Sequence, residues 1–354
     1  VFGRFVGAVM VILGTWRRLT VIVAAMLMCS GLGAPVARAA ESPNGVEDGL
    51  VLWLDASDPH ADGTQPEDGD RIRRWIDKSS AHNNAIAIDR SARYTAQVGA
   101  LNDRPALQFF RENDNVGSKF YVMGLDIRAV TRPDLTVFTV YQPLANEPNN
   151  GLWGNDNLEW DRFFLSYHPS FGDGVNDGLV SLGPTLAGET IPDAGDTSVA
   201  HLMTVGYDGE IDSHGVNVGK ENGSYVYTDC QVQRRFTDSS DATNAQMNFI
   251  IGADGDNSVY DGYIAELIVY ERALTDEELS YVYMYLSTKY ELGSACADYV
   301  GRTTTTTTST DLSTTEPEIL ANTGSKGGTW FSVTMLCLLA GGIGLVVTRR
   351  RVIR

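Results

Sequence analysis

Between residues 41 and 295 the chain alternates short apolar runs with clusters of Gly, Asn and Asp. The clearest runs are 50–54, 136–141, 202–207, 248–252 and 263–270. Each is short for a helix and carries branched or aromatic side chains, which pack well on a pleated surface. Many short strands with turn residues between them predict an all-β fold, a two-sheet antiparallel sandwich. A length of about 255 residues suits one such sandwich better than two domains. In 263–270, strict alternation places Ile264, Glu266, Ile268 and Tyr270 on one face, opposite Tyr263, Ala265, Leu267 and Val269. One helix interrupts the pattern. Thr275 caps it, Glu278 completes a capping box, and Leu279, Val282, Tyr283, Leu286 and Tyr290 recur at helical spacing. Gly293 is expected to end it, and the helix to pack across one end or edge of the sandwich.

Two other apolar stretches lie outside this region. Residues 19–32 follow Arg17-Arg18 and lead to Val36-Ala37-Arg38-Ala39-Ala40. A positive start, a short apolar middle and a small-residue exit predict a signal peptide over residues 1–39, cut after Ala39, with Ala40 the neighbouring choice. An uncleaved membrane anchor is the alternative. The initial Val and an earlier apolar run at 5–13 make Met10 a candidate start. Cys29 follows Met26-Leu27-Met28 rather than the small residues that lipid attachment requires. At the other end, residues 330–348 carry no charge and would span roughly 28 Å as a helix, close to a bilayer's hydrocarbon thickness. Arg349, Arg350, Arg351 and Arg354 follow, which places the C-terminus inside and the rest outside.

Charge and composition refine this division. Residues 41–320 hold all 45 acidic residues and 18 of the 27 lysines and arginines, a net charge near −27. Such a surface opposes nucleic acid and anionic lipid, and no basic aromatic patch is legible to suggest nucleic acid. The acids are oxygen ligands for a hard cation or, alternatively, a solvated face. Residues 297–319 contain the run Thr303 to Thr308 and few apolar side chains, too little to bury a core. They read as an extended stalk beyond a folded region spanning residues 40–296.

Upstream of the terminal apolar run stands Leu320-Ala321-Asn322-Thr323-Gly324. Pentapeptide, apolar run and basic tail together resemble the sorting signal of Gram-positive surface proteins, in its Leu-Ala-x-Thr-Gly form. The resemblance implies that a sortase cuts between Thr323 and Gly324 and joins the Thr323 carboxyl to peptidoglycan, with residues 320–354 as the signal. The family's usual second residue is Pro; Ala321 leaves the sortase class open. A plain single-span membrane protein is the alternative reading.

Three stretches of the folded region resemble the laminin-G-like, concanavalin A-type jelly rolls of bacterial surface proteins. They are residues 49–58 with 75–80 and 83–85, Arg104-Pro-Ala-Leu-Gln-Phe109, and residues 251–253 followed by 260–270 and 272–278. The resemblance implies two packed antiparallel sheets and a module that binds carbohydrate or protein ligands. It fixes no reaction, because one fold hosts many functions. A wall-attached glycoside hydrolase and a structural surface component without a specific ligand are the competing readings.

Candidate chemistry is sparse. Sandwich glycosidases place paired carboxylates on one strand, and Glu210-Ile211-Asp212-Ser213-His214 approximates that spacing with His214 at the last position. Glu266 among apolar neighbours is either a catalytic or cation-binding carboxylate or a structurally bonded one. No nucleophile arrangement is legible, and His60, His82, His168, His201 and His214 are not paired at metal spacing. Asp254, Asp256 and Asp261 form a candidate calcium site on an oxygen-rich loop, and Asn155-Asp156-Asn157 with Asp161 form a second cluster. Trp153, Trp160, Phe163, Phe164, Tyr167 and Phe171, with Tyr225 and Tyr227, offer either a sugar-stacking platform or core packing. Cys230 and Cys296 remain in the exterior region, either as a disulfide or as two thiols.

Overall fold

The computed structural model describes residues 42–145, 147–156, 162–168, 177–181, 188–238, 247–255, 258–292 and 296. The segments predicted as signal peptide, stalk and sorting signal, together with Asn157, Trp160, Asp161, Phe171, Asp256 and Gly293, lie outside the described residues. No helix among the described residues is long and apolar enough to cross a membrane.

Two antiparallel sheets face one another as a jelly-roll sandwich. The larger runs in the order Gln231–Phe236, Ser224–Thr228, His201–Tyr207, Leu135–Pro143, Gly262–Tyr270, Arg104–Phe109, Ala92–Val98 and Arg71–Ile72, and Leu50–Asp55 also pairs with Gly262–Tyr270. The smaller runs Gly188–Ile191, Gly178–Ser181, Phe163–Leu165, Gly151–Gly154, Phe249–Ile251, Phe120–Val122, Ala85–Ala87 and Arg74–Trp75. The five runs read from the sequence all become strands. Inward side chains from both sheets, among them Leu52, Trp75, Leu107, Phe120, Tyr141, Trp153, Val205 and Leu267, form one continuous core. Their burial removes apolar surface from water, which is the main favourable contribution to holding the sheets together.

The strand Gly262–Tyr270 departs from strict alternation. Its register against Leu135–Pro143 shifts between Val140 and Tyr141, which pair with Glu266 and Ile264 and leave Ala265 as the extra residue of a bulge. Ile264 therefore joins Leu267 and Val269 in the inter-sheet core, while Glu266 faces outward with Ile268 and Tyr270. The same point divides the strand's other edge: residues 262–264 pair with Leu107 to Phe109, and residues 266–270 pair with Leu50–Asp55.

The helix Asp276–Tyr290 has the predicted capping box, with Thr275 and Glu278 bonded reciprocally. Arg272 grips Glu278 through both Nη atoms at 2.8 and 2.6 Å, fixing the turn from strand to helix. Glu291, in the left-handed conformation, occupies the C-cap position for which Gly293 was the sequence candidate. The helix lies on the outer face of the larger sheet rather than at an end of the sandwich. Leu279, Val282, Tyr283, Leu286 and Tyr290 pack there against Trp53, Phe138, Ile268 and Tyr270, forming a second apolar layer.

Candidate functional site

The acids marked in the sequence go to different places. Glu210 is exposed on a small ribbon made of Gly209–Ile211 and Asn217–Gly219. Asp212 caps its turn, accepting from the backbone N–H of His214 at 2.8 Å and of Val216 at 3.0 Å. Asp212 is thus bonded within its own turn, and Glu210 is exposed to solvent. Glu266 is fully enclosed beneath the helix. Its Oε1 accepts from Trp53 Nε1 at 2.7 Å and Tyr285 Oη at 2.8 Å. Its Oε2 accepts from Lys289 Nζ at 2.7 Å and Tyr290 Oη at 2.9 Å. Lys289 also reaches Asp55 at 2.7 Å, and Asp55 reaches Lys78 at 3.2 Å. Two carboxylates and two ammonium groups thus balance in charge, and every Glu266 lone-pair direction is used. Burial pushes the Glu266 carboxyl up, against the charge of Lys289. Burial would also raise Asp55, but Lys289 and Lys78 outweigh it and hold Asp55 at about 2. The cluster pins helix to sheet. This is the structurally bonded reading of Glu266, with Trp, Tyr and Lys side chains as the donors.

Five of the six described aromatics of the candidate platform are core, and Tyr167 is half-buried. Trp153, Phe163 and Phe164 are buried, and Tyr225 and Tyr227 lie under the helix layer. The oxygen-rich loop is only partly described. Asp254 is buried, its Oδ1 has no hydrogen-bond partner among the described residues, and burial pushes it up to about 7. A bond from Ser258 opposes that rise and the charge of Asp156 adds to it. Asp261 is also raised by burial, but its charged neighbours are Arg111 and Glu147. Among the described residues no group of three His, Cys, Asp or Glu side chains is arranged to hold a metal ion. Asp254 lies beside Asp156, and Asp261 faces different partners.

Cys230 and Cys296 are joined as a disulfide, with Cα atoms 4.8 Å apart. Asp229 and Cys230 both have positive φ, at 50° and 62°, as a two-residue hairpin turn between Ser224–Thr228 and Gln231–Phe236 demands. Cys296 follows the helix, so the bond ties the helix's far end to that hairpin.

The helix leaves part of the outer sheet face uncovered. Across five strands, Arg71 pairs with Arg93, Arg93 with Gln108, Gln108 with Tyr263, and Tyr263 with Gln142. Directly opposed residues share a face, and the chain neighbours Ile72, Tyr94 and Leu107 point into the core, so this row points outward. At its end Arg71, Arg90, Arg93, Phe110 and Ser118 line an open groove of about 360 Å³. Ser118 is buried as its floor; its Oγ accepts from Phe110 N–H at 3.2 Å and donates to the Ser91 carbonyl at 3.4 Å. Phe110 is 38% exposed, with the Arg93 guanidinium 5.5 Å from its ring centre. Arg90 Nη1 meets Glu112 Oε2 at 2.6 Å, both side chains half exposed. Glu112 stands on the ribbon Arg111–Asn113, whose turn is capped by Asn113 Oδ1 accepting from Asn115 and Val116 N–H. Among the described residues neither Arg71 nor Arg93 is in an ion pair. The sequence reading passed over these residues. A signal was present: residues 71–93 hold six basic side chains against two acidic ones, inside a strongly acidic domain.

The chain is therefore an antiparallel jelly-roll sandwich that carries a basic groove on one open face. No family model matches it, and no curated protein matches it. Among solved structures it is similar to domain 4 of AbnA, a GH43 extracellular arabinanase from Geobacillus stearothermophilus, in complex with arabinotriose. That likeness has 15% identity and a TM-score of 0.39, over 70% of this chain and 98% of that one. It is also similar to a Trypanosoma rangeli sialidase in complex with sialic acid, at 13% identity and a TM-score of 0.40, over 68% of this chain and 33% of that one. The binding domain of botulinum neurotoxin serotype D gives 10% identity and a TM-score of 0.39, over 68% of this chain and 52% of that one. Likenesses this distant carry no argument about ligand or activity.

Proposed function

We propose that the sandwich is a recognition module held outside the cell, covalently wall-anchored through Thr323, and that it binds a carbohydrate or protein ligand through the Arg71–Arg93–Phe110 groove. The groove carries the reading: unpaired guanidinium groups and an exposed aromatic ring converge on one open face of a domain that is otherwise acidic. Such convergence of a few polar groups around an apolar surface is what small-ligand sites share. The glycoside-hydrolase reading needs two carboxylates in one cleft. Neither the Glu210 and Asp212 pair nor Glu266 supplies them. A calcium ion beside Asp254 is a second part of the proposal, favoured by that residue's buried, unpartnered oxygen.

Two measurements test this. Digestion of the wall followed by mass spectrometry is expected to yield a chain ending at Thr323 joined to a wall peptide. Intact protein confined to the detergent-soluble membrane fraction of sortase-positive cells would refute the anchoring. Screening the purified full chain against oligosaccharides and surface proteins is expected to give binding that Phe110→Ala weakens, with the melting midpoint unchanged.

A further inference from the structure

We propose that the groove recognises a carboxylate-bearing glycan, and that Glu112 is a built-in competitor for its carboxylate. The inference rests on the recognition reading and names the ligand class.

Arg71 and Arg93 stand directly opposite one another on the outer face at the sheet's edge. Like charges in that relation repel and weaken strand pairing. The domain contains an excess of carboxylates, yet none is placed on either guanidinium among the described residues. An anion that bridges the pair relieves the repulsion and gains charge-assisted hydrogen bonds in the fork geometry guanidinium groups favour. Arg90 indicates which anion fits. Its Nη1 already holds a carboxylate at the groove, that of Glu112 at 2.6 Å, on two side chains exposed enough to part. A ligand carboxylate offers Arg90 the same bond and displaces Glu112 into water. Phe110 supplies the other half of the recognition. Its exposed ring beside the Arg93 guanidinium presents a flat apolar face to the C–H side of a sugar. The volume of about 360 Å³ is at the small end for ligand sites, matching a short stretch of sugar rather than a protein face. The net charge of the surrounding domain opposes a long polyanion of either phosphate or carboxylate, which favours a short acidic sugar.

The test is equilibrium binding of the purified full chain to trigalacturonate, a hyaluronan hexasaccharide and sialyllactose, each beside its neutral counterpart. An acidic peptide and a phosphate polymer serve as further arms. At least one carboxylated sugar is expected to bind, its neutral counterpart at least about tenfold more weakly, with affinity falling as salt is raised. Arg71→Gln and Arg93→Gln are each expected to lower that affinity about tenfold or more, because each removes a hydrogen bond to a charged group. Glu112→Gln is expected to raise it several-fold, a gain that a merely structural role for Glu112 would not produce. All three side chains are exposed, so the melting midpoint is expected to hold and confirms that the variants fold. Equal binding of neutral and acidic sugars, lost in Phe110→Ala, overturns the carboxylate inference while the recognition reading stands. Preference for the peptide or the phosphate polymer does the same. Unchanged or weaker binding in Glu112→Gln overturns the competitor role. Failure of every probe and of the wider ligand screen overturns both.

Discussion

Replacing Lys289 by Met removes the cation at the centre of the buried cluster while keeping most of its packing volume. Lys289 Nζ lies 2.7 Å from Asp55, 2.7 Å from Glu266 and 3.1 Å from Tyr285 Oη. The variant leaves two enclosed carboxylates with one ammonium group, Lys78, which reaches Asp55 at 3.2 Å and also faces Asp58 at 4.0 Å. Removing one partner of a buried ion pair typically costs about 3–5 kcal/mol, because the remaining charge is stranded out of water. For a domain of this size that corresponds to a fall in melting midpoint of roughly 6–20 °C. The pH dependence supplies a second readout. Burial already raises Glu266, and loss of the lysine raises it further. A carboxyl with a raised folded pKa takes up a proton in the folded state before the unfolded chain does. The variant's deficit is therefore expected to narrow as pH falls from neutral toward 4.5, the ordinary glutamate value. In the parent, Asp55 has the opposite sign. Its contribution is present above the unfolded value of 3.8 and is lost as pH falls toward about 2. Urea unfolding of parent, Lys289→Met and Lys289→Met/Glu266→Gln across this range is the assay, the double variant being expected to recover part of the loss. A loss below about 1 kcal/mol, the size of an exposed ion pair, or a deficit that grows on acidification, would refute the argument.

Two other predictions concern the disulfide and the cation. Alkylation without reductant is expected to leave Cys230 and Cys296 unlabelled, and reduction to lower stability by roughly 4 kcal/mol, the loop-closure value for a 66-residue separation; labelling before reduction would contradict the pairing. Millimolar calcium is expected to raise the melting midpoint over that in EDTA, by about 2.7 kcal/mol of stabilisation at a hundredfold excess over Kd. Because Asp254 titrates at about 7, the calcium effect is expected to be larger above that pH than below it, and to vanish in Asp254→Asn; a midpoint indifferent to calcium removes the ion.

How far the site was legible depended on the kind of signal. The helix cap was local and read correctly, since Thr275 and Glu278 satisfy each other within one turn. The face assignment at 263–270 holds from Glu266 onward and is inverted before it, because the Ala265 bulge is set by the partner strand and turns Ile264 inward and Tyr263 outward. Aromatic clustering left open a sugar platform and core packing, and the structure gives the second for sequence neighbours such as Phe163 and Phe164, both buried because the strand's two faces are both covered.

By itself the sequence determined what depends on near neighbours along the chain. Alternating apolar runs and turn residues specified strands, helical spacing with a capping box specified the helix, and the surplus of acids specified the charge of the folded region. Only the tertiary structure decided what depends on distant residues meeting. Strand order brought Arg71 from one edge strand beside Arg93, and Phe110 and Ser118 from a later hairpin, to make a groove from four separated segments. Packing of the helix on the outer sheet face converted Glu266 from an apparent lone acid into one with four donors drawn from strand and helix. Periodicity records which side a residue faces within its own element; sheet register and layer packing decide what it faces there.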